Sequence, residues 1–237
     1  MNQILVTEKI YVTEKLKRKK FFYKILFILS ILVVVGLVSY SLYSEYKIRK
    51  DELISKEILE NMFNANSDNT VVNQDTLVVA LNDNVEEISL PTLEKFNVVY
   101  TTDKGTNYKV DSILNIPSLG INYPVLSETS DELLKISLNK FWGGEPNTVG
   151  NYCIVGHNYD GKDILFGKLS KIQNGDIVEL EDKTGSILKY KVYNIFVVQP
   201  TDVACTSQLT NGKKEITLIT CHDGGKTRLI VKCRAIE

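Results

Sequence analysis

Nineteen consecutive residues without a charge, Ile25 to Tyr43 (ILFILSILVVVGLVSYSLY), constrain this chain more than any other feature. As a helix rising roughly 1.5 Å per residue, the run covers about 28 Å, close to the hydrocarbon thickness of a bilayer. Residues 1–24 carry seven lysines and arginines against Glu8 and Glu14, a net +5. Basic residues on that flank hold it in the cytoplasm, which puts everything after Tyr43 outside. Tyr40 and Tyr43 lie near the far end, where amphipathic rings favour the interface. A cleaved signal peptide is the competing reading, with Ser39-Tyr40-Ser41 as a passable small-x-small site. Its apolar core, however, exceeds the ~7–15 residues of a signal h-region. The expectation is a basic cytoplasmic tail over 1–24 and an uncleaved, single-pass transmembrane anchor over 25–43.

Beyond the span the character changes twice. Residues 44–106 read as an extracellular stalk and linker. Glu45 to Phe63 is a charged helix with Leu53, Ile54, Ile58, Leu59, Met62 and Phe63 near a 3.6-residue period. It is either a rigid or self-packing stalk or a continuation of the membrane helix. The polar stretch NANSDNTVVNQD that follows has the composition of a flexible linker. Leu77–Leu81 and Val98–Tyr100 have strand character without an assignable partner.

From 107 to 237 the grain is β. Tyr108–Ile116, Tyr152–His157, Ile177–Glu181, Leu188–Val198, Glu215–Cys221 and Arg228–Ala235 are runs rich in Val, Ile, Tyr and Thr. Turn signals separate them, among them Asn174-Gly175, Asn211-Gly212 and Gly224-Gly225. Ser130–Leu138 is the one good helix candidate, with Asp131 and Glu132 suited to its first turn. Short strands at this spacing suggest a barrel or sandwich. Composition then removes several functions. Lys+Arg number 28 against 29 Asp+Glu, so nothing draws the chain to nucleic acid in general. The four cysteines (153, 205, 221, 233) contain no C-x-x-C, which argues against a structural zinc site and against a disulfide framework. No metal or cofactor is expected.

The chemistry lies at two strand ends. One is Asn151-Tyr-Cys-Ile-Val-Gly-His157-Asn158; the other is Thr217-Leu-Ile-Thr-Cys221, then His222-Asp-Gly-Gly-Lys-Thr-Arg228. A thiol needs a nearby imidazole or guanidinium to act as a nucleophile at neutral pH. Cys221, before a Gly-rich turn, would be reachable. A hairpin would bring Arg228 beside it as a forked, permanently charged donor for substrate and oxyanion. The bland alternatives are a small buried cysteine and an ordinary surface or core histidine.

These residues have a family likeness. Thr217–Cys221 (TLITC) resembles the TLxTC signature of sortases, the cysteine transpeptidases of Gram-positive surfaces. Ile113–Leu126 (ILNIPSLGINYPVL) is similar to the opening segment of that domain, Asn147–His157 to the segment delivering its histidine, and Gly167 to Asp176 to the connection after it. Arg228-Leu-Ile-Val resembles the terminal arginine-bearing strand. The matches fall in the correct order across 107–237. Papain-like and cell-wall endopeptidase patterns place Cys before His, whereas here His157 precedes Cys221 by 64 residues; the QACxG of caspase-like enzymes is absent.

The resemblance implies a closed eight-stranded β-barrel after an anchor and linker. It implies His157, Cys221 and Arg228 as catalytic residues, with Arg228 and Thr220 also contacting substrate. It implies cleavage of an LPxTG-like sorting signal through a Cys221 thioester. The surface protein then passes to an amine of a peptidoglycan precursor (lipid II) or of a pilin. The chain lacks a pilus-type Asp-Pro-aromatic lid and a second span near Glu237, which points to a housekeeping-like or class D-like enzyme. Cys153 and Cys233 read as packing residues, Cys205 as a loop residue, and His222 as an exposed loop residue rather than a second catalytic histidine. The rival reading is a membrane-anchored extracellular β-domain with a binding or display role and no transpeptidase activity.

Overall fold

The computed structural model describes residues 14–64, 96–102, 104–159 and 162–236. Residues 1–13 and the strand candidate Leu77–Leu81 lie outside the described residues, as does most of the polar linker. The chain divides into two units, Met1–Arg49 and Lys50–Glu237.

The described residues of the first unit are helical. Helix α1 (Glu14–Asn64) includes the 25–43 run, and the side chains from 17 to 43 are all exposed. It is long and apolar enough to cross a membrane. No helix break separates the apolar run from the charged segment, which therefore continues the same helix.

In the second unit eight strands close a barrel. They are β3 (Val110–Ile116), β4 (Ile121–Leu126), β5 (Leu138–Trp142), β6 (Gly150–Gly156), β7 (Ile177–Glu181), β8 (Ile187–Val198), β9 (Lys214–His222) and β10 (Thr227–Ala235). Around the barrel the order is β10-β8-β7-β3-β4-β5-β6-β9, closing through β9 and β10. The pairs β4/β5 and β6/β9 are parallel and the rest antiparallel. A separate two-stranded ladder pairs β1 (Tyr100–Thr101) with β2 (Asn107–Tyr108). Alternate residues fill the interior, among them Leu114, Ile154, Leu180, Leu218 and Val231, each fully buried.

The six strands legible in the sequence are present to within about two residues at either end, apart from the first, which divides at Lys109 into β2 and β3. The helix expected over Ser130–Leu138 shrinks to α2 (Leu133–Ile136). Its end is set by pairing: Ser137 is extended, and Leu138 and Asn139 lie parallel to Val125 and Leu126. That non-local ladder makes β5 out of residues (LNKFW) with no alternation of their own.

The last turns of α1 belong to this barrel unit. Ser55, Ile58 and Met62 are buried, and Ile54 and Leu59 are half-buried, a spacing that follows one helix face. They pack with Phe96, Tyr108, Val110, Ile113, Leu126, Leu133 and Ile136. Ser55 Oγ donates to Ser137 Oγ at 3.0 Å, and Ser137 Oγ to the Pro124 carbonyl at 2.5 Å. Leu53, grouped with this face from the sequence, is exposed instead.

Candidate active site

Three strand ends meet at one rim of the barrel. β6 and β9 run parallel as far as the pair Gly156↔Thr220, so His157 leaves β6 next to where Cys221 continues β9. β10 returns along β9 with Arg228 directly opposite Cys221. The turn between them, Asp223–Gly225, needs left-handed backbone at Asp223 (φ 47°) and Gly224 (φ 61°), which explains the small residues there. Gly156 has a different reason to be glycine: a Cβ there would lie 2.5 Å from Leu138 Cδ2 and 2.7 Å from Phe166 Cδ2.

His157 is half-buried. Its carbonyl accepts the Phe166 N–H at 3.1 Å, and its ring lies 5.6 Å from that of Tyr159. Burial lowers the imidazole pKa and nearby Lys135 lowers it further, while Asp131 opposes both. Asn158 continues the link where the β6/β9 ladder stops, its Nδ2 donating to the Cys221 carbonyl at 2.9 Å. Sequence reasoning gave Asn158 no role; only its position after His157 hinted at one. Arg228 donates through Nη1 to the carbonyls of Gly225 at 2.8 Å and Thr227 at 2.9 Å, which sets the guanidinium at the hairpin mouth.

Two neighbours of Cys221 face away from it, as alternation along a strand requires. Thr220 is 1% exposed and donates to the Gly156 carbonyl at 2.8 Å. That bond clamps β6 to β9. His222 is half-buried on the strand, not on a loop, with Nδ1 3.2 Å from Thr227 Oγ1 across the hairpin. The other thiols are held protonated by burial: Cys153 is pushed up to about 12, and Cys205 and Cys233 are also raised. All four cysteines are free. Among the described residues no cluster of His, Cys, Asp and Glu could hold a metal ion.

Behind the rim the same outer face continues in rows. The next row is Val155, Ile219, Ile230 and Phe196; the one after is Cys153, Thr217, Lys232 and Asn194; then come Asn151, Glu215 and Arg234. Residues 199–213, between β8 and β9, lie over this face. They enclose a groove of ≈ 240 Å³ with Val155, Ile219 and Ile230 among its lining, Val203 and Cys205 on the loop side, and Arg228 at the thiol end. An apolar slot beside a half-buried thiol, a histidine and an arginine suits acyl transfer on a short extended peptide.

A sortase domain model matches residues 114–236. A sortase A from Bacillus anthracis is 31% identical over 108 residues, which is 46% of this chain and 50% of that one. The chain thus spans about half the length of that relative. Among solved structures, a Clostridium perfringens sortase D5 transpeptidase superposes with a TM-score of 0.50 at 23% identity, covering 64% of this chain and 100% of that one. A lid mutant of sortase A from Corynebacterium diphtheriae gives 0.52 at 24% identity, covering 77% and 93%. At these identities the two structures speak for the barrel fold.

Proposed function

The chain belongs to the sortase family, and from that premise we propose that it is a membrane-anchored cysteine transpeptidase of housekeeping-like or class D-like type. One observation carries the reading: Cys221 stands opposite Arg228, and Asn158 ties its carbonyl to the strand end that bears His157. The Cys221 thiolate attacks the Thr carbonyl of an LPxTG-like signal, and Arg228 steadies the oxyanion. Cationic His157 protonates the departing amine as the peptide bond breaks, leaving a thioester on Cys221. The incoming amine, from a peptidoglycan precursor such as lipid II or from a pilin, attacks that thioester. His157 takes its proton, and the thiolate leaves. The groove beside Arg228 receives the apolar part of the signal.

Residues 25–43 anchor the enzyme, residues 1–24 stay in the cytoplasm, and the barrel over 107–237 works outside. A reporter fused after Glu237 is then active outside the cell, and protection of that end from protease in intact protoplasts overturns the orientation. The activity is tested on the full chain in detergent micelles with a panel of sorting peptides and amines, read by intact-protein mass spectrometry. A peptide adduct on Cys221, discharged by amine, is the expected result. No adduct with any peptide, on a protein whose Cys221 still reacts with a thiol reagent, leaves the binding or display role.

A further inference from the structure

The loop that walls the groove is fastened away from the groove. Residues 199–213 contain no strand, and their internal bonds are short turns such as Thr206 N–H to Val203 O at 3.0 Å. Their ties to the barrel lie two and three rows below Cys221. Asn151 Nδ2 donates to the carbonyls of Cys205 at 2.9 Å and Ser207 at 3.1 Å. Gln208 brackets the Asn151 main chain, accepting its N–H at 3.1 Å and donating to its carbonyl at 2.9 Å. Lys232 Nζ donates to the Cys205 carbonyl at 3.2 Å and to Thr217 Oγ1 at 2.9 Å.

Lys232 is out of place as a packing residue. Its side chain is 12% exposed, next to Thr217 and one row from Ile230 on the sheet, where an apolar residue would avoid the cost of desolvating a charge. Glu215 balances it at 3.6 Å, and that carboxylate is held in turn by Arg234 at 2.8 Å and Tyr193 at 3.0 Å. The ammonium thus donates to a loop carbonyl and a strand hydroxyl and lies beside a fixed anion. It is a hook, and the loop is what it catches.

We propose that Lys232 is a positioning residue for peptide binding: through the Cys205 carbonyl it latches residues 199–213 over the sheet and so maintains the groove wall opposite Val155, Ile219 and Ile230. This rests on the reading of the groove as the peptide site. Lys232 does not line the groove and touches no reacting atom. The latch therefore supplies the ordering of the loop before the peptide arrives, and its loss weakens binding without slowing the chemistry at Cys221.

The test uses the full chain in detergent. Lys232→Met keeps the stem and removes the hook, and Lys232→Arg restores a donor. Loss of a charge-assisted bond predicts a peptide KM raised roughly tenfold, with kcat kept within about twofold, and partial rescue by Arg. A second readout needs no activity. In a Cys221→Ala background Cys205 is the one half-buried thiol left, Cys153 and Cys233 being fully buried, so its labelling rate reports loop opening. Lys232→Met should speed that labelling about tenfold. Gln208→Ala, on the exposed loop, should move both readouts the same way and less, and it decides the matter if Lys232→Met does not fold. Unchanged labelling overturns the latch; faster labelling with an unchanged KM overturns its role in binding. If no peptide acylates Cys221 in the unaltered protein, the transpeptidase reading and the role in binding fall together, and labelling still decides whether Lys232 holds the loop.

Discussion

Over β3, β4 and α2 the barrel is sealed by a helix: Ile58 and Met62 of α1 sit in an apolar cluster with Val110, Leu126, Leu133 and Ile136. Over β6, β9 and β10 it is covered by a loop held through carbonyls, amides and one half-buried lysine. The first kind of cover rests mainly on non-directional apolar contact, with one hydrogen bond from Ser55 to Ser137. The second fixes a few atoms in place and leaves a groove between them. Stability should therefore concentrate on the helix side and chemistry on the loop side, with little exchange between the two.

The sharpest way to break that division is at the thiol. Cys221→Ala should lower acyl transfer by ~10⁴-fold or more while thermal unfolding stays where it is, because a half-buried side chain at a strand end bears little packing. A large fall in Tm would mean that the rim is structural as well. Arg228→Lys is the next test. It keeps the charge but loses the planar fork, and a lost oxyanion-type donor costs ~10²–10³ in kcat/KM. Near-wild-type rates in the Lys variant would leave charge alone as the contribution of Arg228.

The helix side carries the converse expectation. Met62 is 1% exposed, and Met62→Ala should destabilise the protein by about 2–4 kcal/mol through the cavity it leaves. Its kcat/KM, measured below the lowered Tm, should match that of the unaltered chain. A change in kcat there would show that the helix reaches the rim, and the two faces would no longer be separable.

The smallest effects concern protons. The folded-state pKa of His157 lies below its ordinary value of 6.5, chiefly through burial and then through Lys135. Well above pH 6.5 the ring is largely neutral in both states and contributes little to the pH dependence of stability. As pH falls below that, the unfolded chain takes up the proton first, so stability drops until the folded ring also titrates. His157→Gln should remove this acid-side loss in Tm measured between pH 7.5 and 5. Lys135→Gln should raise the His157 titration midpoint followed by NMR, and move the histidine limb of the pH–rate profile the same way. A downward movement would show that Lys135 acts on the ring by some route other than its charge.

How much of this was legible beforehand varies with the range of the interaction involved. The hairpin from Cys221 to Arg228 spans a few residues and a Gly-Gly turn, so its pairing could be read from the turn signal alone. β5 could not, because LNKFW becomes a strand only by lying parallel to β4. Thr220 adjoins Cys221 in a family signature, which says nothing of the side it faces. The parity of the strand turns it inward onto the Gly156 carbonyl. Asn158 and Lys232 belong to no pattern, since an amide after a histidine and a lysine in a strand are ordinary until their partners are known.

The sequence by itself determined the features that depend on neighbours along the chain. These are a charge-free run of bilayer length with a basic flank, the alternating strands and their turns, and a thiol motif followed by an arginine. Only the tertiary structure decided which side chains share a surface. Parallel pairing of β6 with β9 joins residues some 64 apart, and its register sets Asn158 on Cys221 and Asn151 and Thr217 in one polar cluster, while the β9/β10 register sets Lys232 beside Thr217 under the loop carbonyl. The last turns of α1 likewise read as stalk from their charges, and only the apolar patch formed jointly by β3, β4 and α2 drew Ile58 and Met62 inward. Burial is a property of assembled surfaces, and no window of sequence contains both halves of one.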